Sequence, residues 1–285
     1  MKRLLLAIVL TVVSVTALGQ SAALVDGVQM PAWRERDGKR MPLVPGMELR
    51  AGDRILSGKD ARVLVKLAEG SVVKLGENGS LRLEEVNASR ELFRAALQVL
   101  EGAFRFTTDV AAKARKREVD VRVDQVTIGI RGTDVWGRSR ADVQIVCLLE
   151  GAVEVGAAGE QPVTLDQPRQ FYRREKGSAL PVGQVEAQQL QRWSEETEIG
   201  AGKGALRRGG RFSLVLFSFD QERQAIRARD QLREAGYPAE TQRRKDGEKL
   251  VHAVRIRYFP TREEAQIMAD QLTGKYGVKE PTVTQ

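Results

Sequence analysis

The chain has 285 residues, beyond the usual size of one domain, and its 29% charged and 42% hydrophobic residues give a globular balance with enough apolar surface for more than one core. A net charge of +8 and a pI near 9.7 point to an anionic partner or to a basic, solubilising surface; nucleic acid, membrane headgroups and an acidic cell wall all qualify. One cysteine excludes an intramolecular disulfide, and one histidine excludes a multi-histidine metal centre.

Lys2 and Arg3 precede an apolar run from Leu4 to Leu18, broken by Thr11, Ser14 and Thr16. A membrane span needs about 20 apolar residues, and this run is shorter. Small residues follow at Ala17, Gly19, Ser21 and Ala22. A basic start, a short apolar core and a small-residue exit read as a cleaved signal peptide over residues 1–19. Left uncleaved, the same segment is a signal anchor. After cleavage no transmembrane span is expected, and export removes nucleic acid from the expected partners.

Residues 25–173 read as an all-β domain. Val63, Val65 and Leu67 alternate with polar neighbours, as do Leu81 and Leu83, Phe104 and Phe106, and Val119, Val121 and Val123. Turn chemistry at Pro45-Gly46, Gly52-Asp53, Ser57-Gly58, Glu69-Gly70-Ser71 and Asn78-Gly79 separates short strands, the pattern of a roll, barrel or sandwich. Within this region Ser89 to Leu100 is expected as a short helix, because Leu92, Phe93, Ala96 and Leu100 fall at helical spacing. Asp53 and Asp60 are expected to hold turns. Cys147, inside the run Ile145 to Leu149, is expected as a buried, unreactive thiol.

Residues 174–210 read as a linker. Val185 to Glu198 is expected to be a polar helix carrying Leu190 and Trp193, and the glycine-rich stretch Gly200 to Gly210 is expected to be flexible. Residues 211–285 then carry an internal duplication. Leu214-Val215-Leu216, Phe219, Ala225 and Asp230-Gln231-Leu232 return at Val254-Arg255-Ile256, Phe259, Ala265 and Asp270-Gln271-Leu272, always forty residues later. Each half starts as a strand and continues as a helix. Further strands are expected over Tyr237 to Arg244 and Val278 to Thr284. The order is βαββαβ, an α+β ferredoxin-like domain with two helices on one sheet face and the other face open.

Residues 211–285 resemble the SPOR (sporulation-related repeat) domain. Ser218-Phe219 ends the first strand, Gly236-Tyr237-Pro238 precedes the second, and Val254-Arg255-Ile256 leads to Phe259 and the helix start Glu263-Glu264-Ala265. The resemblance implies binding to peptidoglycan glycan strands stripped of stem peptides. Val215 departs from it, since a polar residue, often Gln, is common there. The region from Trp33 to about Tyr172 resembles the FecR domain through Gly46 to Asp53, Glu69-Gly70-Ser71, Ile130-Arg131-Gly132-Thr133 and Leu149 to Val155. Transmembrane regulators of that family place a cytoplasmic segment before their membrane helix. Here only Met1-Lys2-Arg3 precedes the apolar run, so the expectation is an exported β-module for protein or ligand contact. Together the two resemblances imply the periplasm of a Gram-negative-type bacterium.

Catalysis is not expected, nor is a metal or cofactor. His252 falls on the register of Leu250, Val254 and Ile256 and reads as structural. No acidic pair sits in a catalytic motif, although sequence alone leaves a carboxylate pair possible. Gly200 to Gly210 lacks the Gly-Lys-Ser/Thr ending of a phosphate loop. Arg131-Gly132-Thr133 reads first as a strand bulge where glycine relieves crowding.

The open sheet face follows from strand parity. With Leu214, Leu216, Val254 and Ile256 towards the helices, Val215, Phe217, Arg255 and Arg257 point outward, joined by Gln242, Arg244 and, near the strand end, Tyr258. Rings and aliphatic stems cover sugar C–H surface, while guanidinium groups donate to hydroxyl and carboxyl oxygens. The expected function is thus a cell-wall binding protein that presents a FecR-like domain. The alternative is an envelope sensory or protein-interaction module whose SPOR-like face contacts protein.

Overall fold

A computed structural model describes residues 22–89, 91–109, 116–130 and 132–285. The expected signal segment and Arg131 lie outside the described residues. Alternation of apolar and polar residues builds two stacked sheets in the first part of the chain. One runs through Ala23–Gln29, Arg62–Leu67, Val72–Leu75, the second half of Leu92–Thr107, Asp134–Arg140, Val143–Glu150 and Gln170–Glu175. The other runs through Lys39–Pro42, Ala32–Arg36, Arg54–Ser57, Ser80–Ala88, the first half of Leu92–Thr107, Lys116–Val123, Val126–Ile130, Val153–Ala157 and Val163–Leu165. Their inner faces meet in a core that includes Val65, Leu83, Phe93, Phe104, Phe106, Val121, Ile128, Val135 and Leu148.

The helix expected over Ser89 to Leu100 does not form; Leu92–Thr107 is a strand shared by both sheets. Phe93, Ala95, Leu97 and Val99 are buried, while Leu100 is 38% exposed. The period of two won because neighbours pair on both sides, antiparallel with Ser80–Ala88 and parallel with Lys116–Val123. Local spacing cannot register a partner strand that lies elsewhere in the chain.

Helix α1 (Ala187–Glu195) lies on the outer face of the first sheet. Its Trp193 stacks on Trp136 with ring centroids 4.7 Å apart and planes 4° from parallel, and Phe171 meets it edge-on at 6.0 Å. Arg138 pairs with Glu196, and Arg105 bridges Asp134 at 2.6 Å and Glu198 at 3.0 Å.

The glycine-rich stretch expected to be flexible is instead held by its own hydrogen bonds. The Glu264 carboxylate accepts from the backbone N–H groups of Gly202 (2.6 Å), Lys203 (3.2 Å), Gly204 (2.6 Å) and Ala205 (3.2 Å). Successive N–H groups converging on one point form a nest for an anion, here a side chain of the same chain. Leu206 and Arg207 then pair with Val28 and Gly27, and Arg208 meets Asp26 at 3.1 Å. A further contact joins the two halves: the Trp33 indole donates to the Glu234 carbonyl at 3.2 Å, and Ala32 N–H donates to the Gly236 carbonyl at 3.3 Å. Gly236 is held at φ 89° with the Trp33 ring so close that a Cβ would lie 2.6 Å from it. Glycine composition signalled flexibility; the carboxylate that removes it lies about sixty residues downstream, out of reach of a local reading.

The last part of the chain runs Phe212–Phe219, α2 (Glu222–Glu234), Glu240–Asp246, Lys249–Phe259, α3 (Arg262–Leu272) and Thr282–Thr284. The four strands are ordered second, third, first, fourth, all antiparallel. Ala225 and Leu232 of α2 and Ala265, Met268, Ala269 and Leu272 of α3 pack into one core with Leu214, Leu216, Val254 and Ile256. Thr261 caps α3, its hydroxyl accepting from Glu264 N–H at 3.2 Å.

Candidate functional site

The face of this four-stranded sheet turned away from α2 and α3 is read from strand register. Glu240, Gln242 and Arg244 stand directly opposite Arg255, Ala253 and Val251, and Val215 stands opposite Arg255 on the other side. Directly opposed residues share a face. Val215, Gln242, Arg244 and Arg255 are therefore brought together. Arg257 continues the row two residues on.

Phe217 is the exception among the expected outward residues. A β-bulge at Leu216 shifts the register so that Phe217 opposes Val254, which faces the helices. Phe217 is half-buried against the main core and stacks on Phe219 with centroids 5.5 Å apart. Strict alternation placed it outward; one extra residue in the strand turns it inward, and Ser218, opposite Ala253, takes the open side. A second bulge acts at the far end, where Arg257 and Tyr258 together span the single residue Ser213 of the neighbouring strand. Tyr258 adopts φ 75°, and the Arg257 guanidinium sits 5.0 Å from its ring centroid.

The surface so formed is cationic over an apolar floor. Val215, Val251 and Ala253 are 6%, 5% and 0% exposed although they belong to the open face. Long side chains can cover apolar surface with their aliphatic stems while their charged ends reach solvent. Arg255 donates from Nε to Glu240 Oε1 at 2.9 Å, and Arg257 Nη1 lies 3.5 Å from the same oxygen. Among the described residues Arg244 makes a 3.4 Å contact to Ser218 Oγ, and its buried Nε has no partner there. Sequence reading missed Glu240 and Ser218. Parity gives Glu240 at once, two residues before Gln242; Ser218 required the bulge to be known.

The remaining candidates are structural. His252 opposes Phe219 in the sheet. Asp53 is fully buried, accepting from Arg50 N–H at 2.9 Å and pairing with both nitrogens of the Arg36 fork. Asp60 sits in a turn at φ 57°. Gly132 answers a backbone need, not crowding: its φ is 78° and a Cβ there would meet nothing within 4 Å. Burial pushes the Cys147 thiol up to about 12, which keeps it protonated and inert. Burial also raises the Glu69 carboxyl above its ordinary range. No group of three or more His, Cys, Asp or Glu side chains among the described residues is arranged to hold a metal, and no helix among them is long and apolar enough to cross a membrane.

Residues 53–154 match the family model described as FecR protein, and residues 209–285 match the SPOR domain. Two solved structures of a putative anti-sigma factor from Parabacteroides distasonis are similar in part. One is 19% identical with a TM-score of 0.41, over 50% of this chain and 64% of that one. The other is 17% identical with a TM-score of 0.41, over 78% of this chain and 91% of that one. No curated protein matches the chain.

Proposed function

The chain carries a FecR domain followed by a SPOR domain, and from that premise we propose that it is a non-enzymatic cell-envelope protein of the periplasm that binds peptidoglycan glycan strands through the open face of its C-terminal sheet. The observation that carries the reading is a sheet face turned away from α2 and α3 that bears Gln242, Arg244 and Arg255, with Arg257 next in the row, within the segment that matches the SPOR domain. Arg forks donate several hydrogen bonds in one plane to sugar hydroxyl and carboxyl oxygens. The strand order and βαββαβ sequence support a ferredoxin-like fold for this segment. In this reading the signal segment, residues 1–19, is removed on export. Residues 25–173 form the FecR-like unit and residues 211–285 the SPOR-like unit.

The protein-contact alternative draws on one observation, the turning of Phe217 away from the face. Co-sedimentation of the full chain with purified, protein-free sacculi separates the two. The glycan reading expects the protein in the pellet, and its release to the supernatant when a muramidase cuts the strands. Protein that stays in the supernatant with intact sacculi favours the alternative.

A further inference from the structure

The joint between the two domains forms a cleft of about 770 Å³, within the size range of small-ligand sites, which favour domain boundaries. Lysines from three distant parts of the chain line it: Lys59 from the β-domain, Lys203 from the clamped segment after α1, and Lys275 from the turn after α3. Each sits on backbone held by hydrogen bonds. Ala61 N–H donates to the Gly58 carbonyl at 3.3 Å around Lys59, Lys203 N–H donates to Glu264 at 3.2 Å, and Lys275 N–H donates to the Leu272 carbonyl at 2.9 Å. The fold thus gathers like charges in one place, and none of the three ammonium groups forms an ion pair among the described residues. Arg62 also lines the cleft, but it borders a neighbouring pocket that carries Glu77 and Glu196 as well.

Three carboxylates share the lining, Asp60, Glu195 and Glu198. Glu198 is committed to Lys74 and, at 3.0 Å, to Arg105, neither of which lines the cleft. Asp60 and Glu195 remain, so positive charge is in excess while a site for an amine is kept. Neutral groups complete the surface. Gln29, anchored through Nε2 on the Asp60 carbonyl, and Gln271 supply side-chain amides. Burial raises the Tyr237 phenol above its ordinary range, which keeps it a hydroxyl donor. A plain phosphate would use the lysines and leave the amides, the hydroxyl and the two carboxylates without a role. A peptide uses all of them: amide groups match its backbone, lysines its carboxylates, and an acidic side chain its amino end.

We propose that this cleft binds a short acidic peptide across the joint between the two domains, its carboxylates on Lys59, Lys203 and Lys275 and its free amino end on Asp60 or Glu195. The site is separate from the open sheet face and does not depend on the glycan reading. A ligand that touches both domains stabilises their joint by mass action, so the acidic peptide also raises the melting temperature of the chain.

Titration calorimetry on the full chain tests this with three probes: a short glutamate-rich synthetic peptide with a free amino end, the same peptide with glutamines in place of the glutamates, and inorganic phosphate. The acidic peptide is expected to bind about tenfold more tightly than either of the others, with the difference shrinking at high salt. Lys59→Gln and Lys275→Gln remove charge from opposite sides of the joint. Each is expected to weaken the acidic peptide about three- to tenfold while the melting temperature of the free protein is unchanged. Lys39→Gln, at an exposed β-domain lysine outside the cleft, is expected to bind like wild type. No heat from the acidic peptide at millimolar concentration, equal binding of the acidic and glutamine peptides, or wild-type affinity in both cleft variants overturns the proposal. Phosphate that binds as tightly as the acidic peptide makes the cleft a plain anion site and overturns the peptide assignment. Sedimentation with sacculi reads the sheet face, so any of these failures leaves the glycan reading standing.

Discussion

Phe217 and Arg255 illustrate how one inserted residue sorts side chains between stability and recognition. Both lie in the middle of neighbouring strands, yet the bulge at Leu216 sends Phe217 to the helix side and leaves Val215 and Arg255 on the open side. Phe217→Ala should therefore act on the fold. Truncating a partly buried ring that packs on Phe219 is expected to cost roughly 1–3 kcal/mol in chemical denaturation, less than the loss at a fully buried site. Binding to sacculi should be unchanged at temperatures where the variant is folded. Loss of binding with unchanged stability would place the ring back on the recognition face. Most of that face was legible from alternation alone: Val215, Gln242, Arg244, Arg255 and Arg257 all follow a period of two. Phe217 did not, because a bulge is set by hydrogen bonding between strands, which residue type does not announce.

At the scale of elements, the segment between the two folded regions acts as a clamp. Four N–H groups of Gly202 to Ala205 converge on the Glu264 carboxylate, and Trp193 of α1 stacks on Trp136 of the β-domain. Glycines reduce steric hindrance so that consecutive N–H groups can turn inward, and the same composition without an anion makes a mobile chain. Wild type should thus resist trypsin at Lys203 under native conditions. Glu264→Ala leaves the four donors unpaired and should lower stability by about 2–4 kcal/mol, with cleavage at Lys203 appearing first in a timed digest. A wild-type digest that starts at Lys203 would show that the clamp does not hold. The helix expectation for Val185 to Glu198 and the alternating strands of the β-domain were readable because their apolar spacing is local. The strand at Leu92–Thr107 and the clamp were not, because each depends on a partner distant in sequence.

At the scale of the whole molecule, the two regions meet through a paired strand, a carboxylate nest and the Trp33 contact at Gly236, with no free tether between them. A glycan strand bound on the open sheet would therefore carry the FecR domain in a fixed attitude towards the wall. The basic balance of the chain would favour approach to an anionic wall, and the sheet-face arginines would place part of that charge at the proposed contact. Domain order was legible from sequence, through the forty-residue duplication and the turn-rich strands before it. The way the domains are joined was not, because it rests on tertiary contacts of Trp33 and Glu264.

We place recognition on the open sheet face and not on the helices. The most direct measurement is co-sedimentation of full-length variants with purified sacculi, with melting temperature followed in parallel. Arg255 and Arg257 lie on one side of their strand, about 7 Å apart, while Arg227 is exposed on α2, on the opposite side of the domain. Arg255→Ala combined with Arg257→Ala should abolish sedimentation while the protein stays folded, with a stability loss of about 1–2 kcal/mol that comes mainly from Arg255, which is only 20% exposed and pairs with Glu240. Arg227→Ala should sediment like wild type. Sedimentation that survives in the sheet-face double variant and fails in the helix variant would contradict the account.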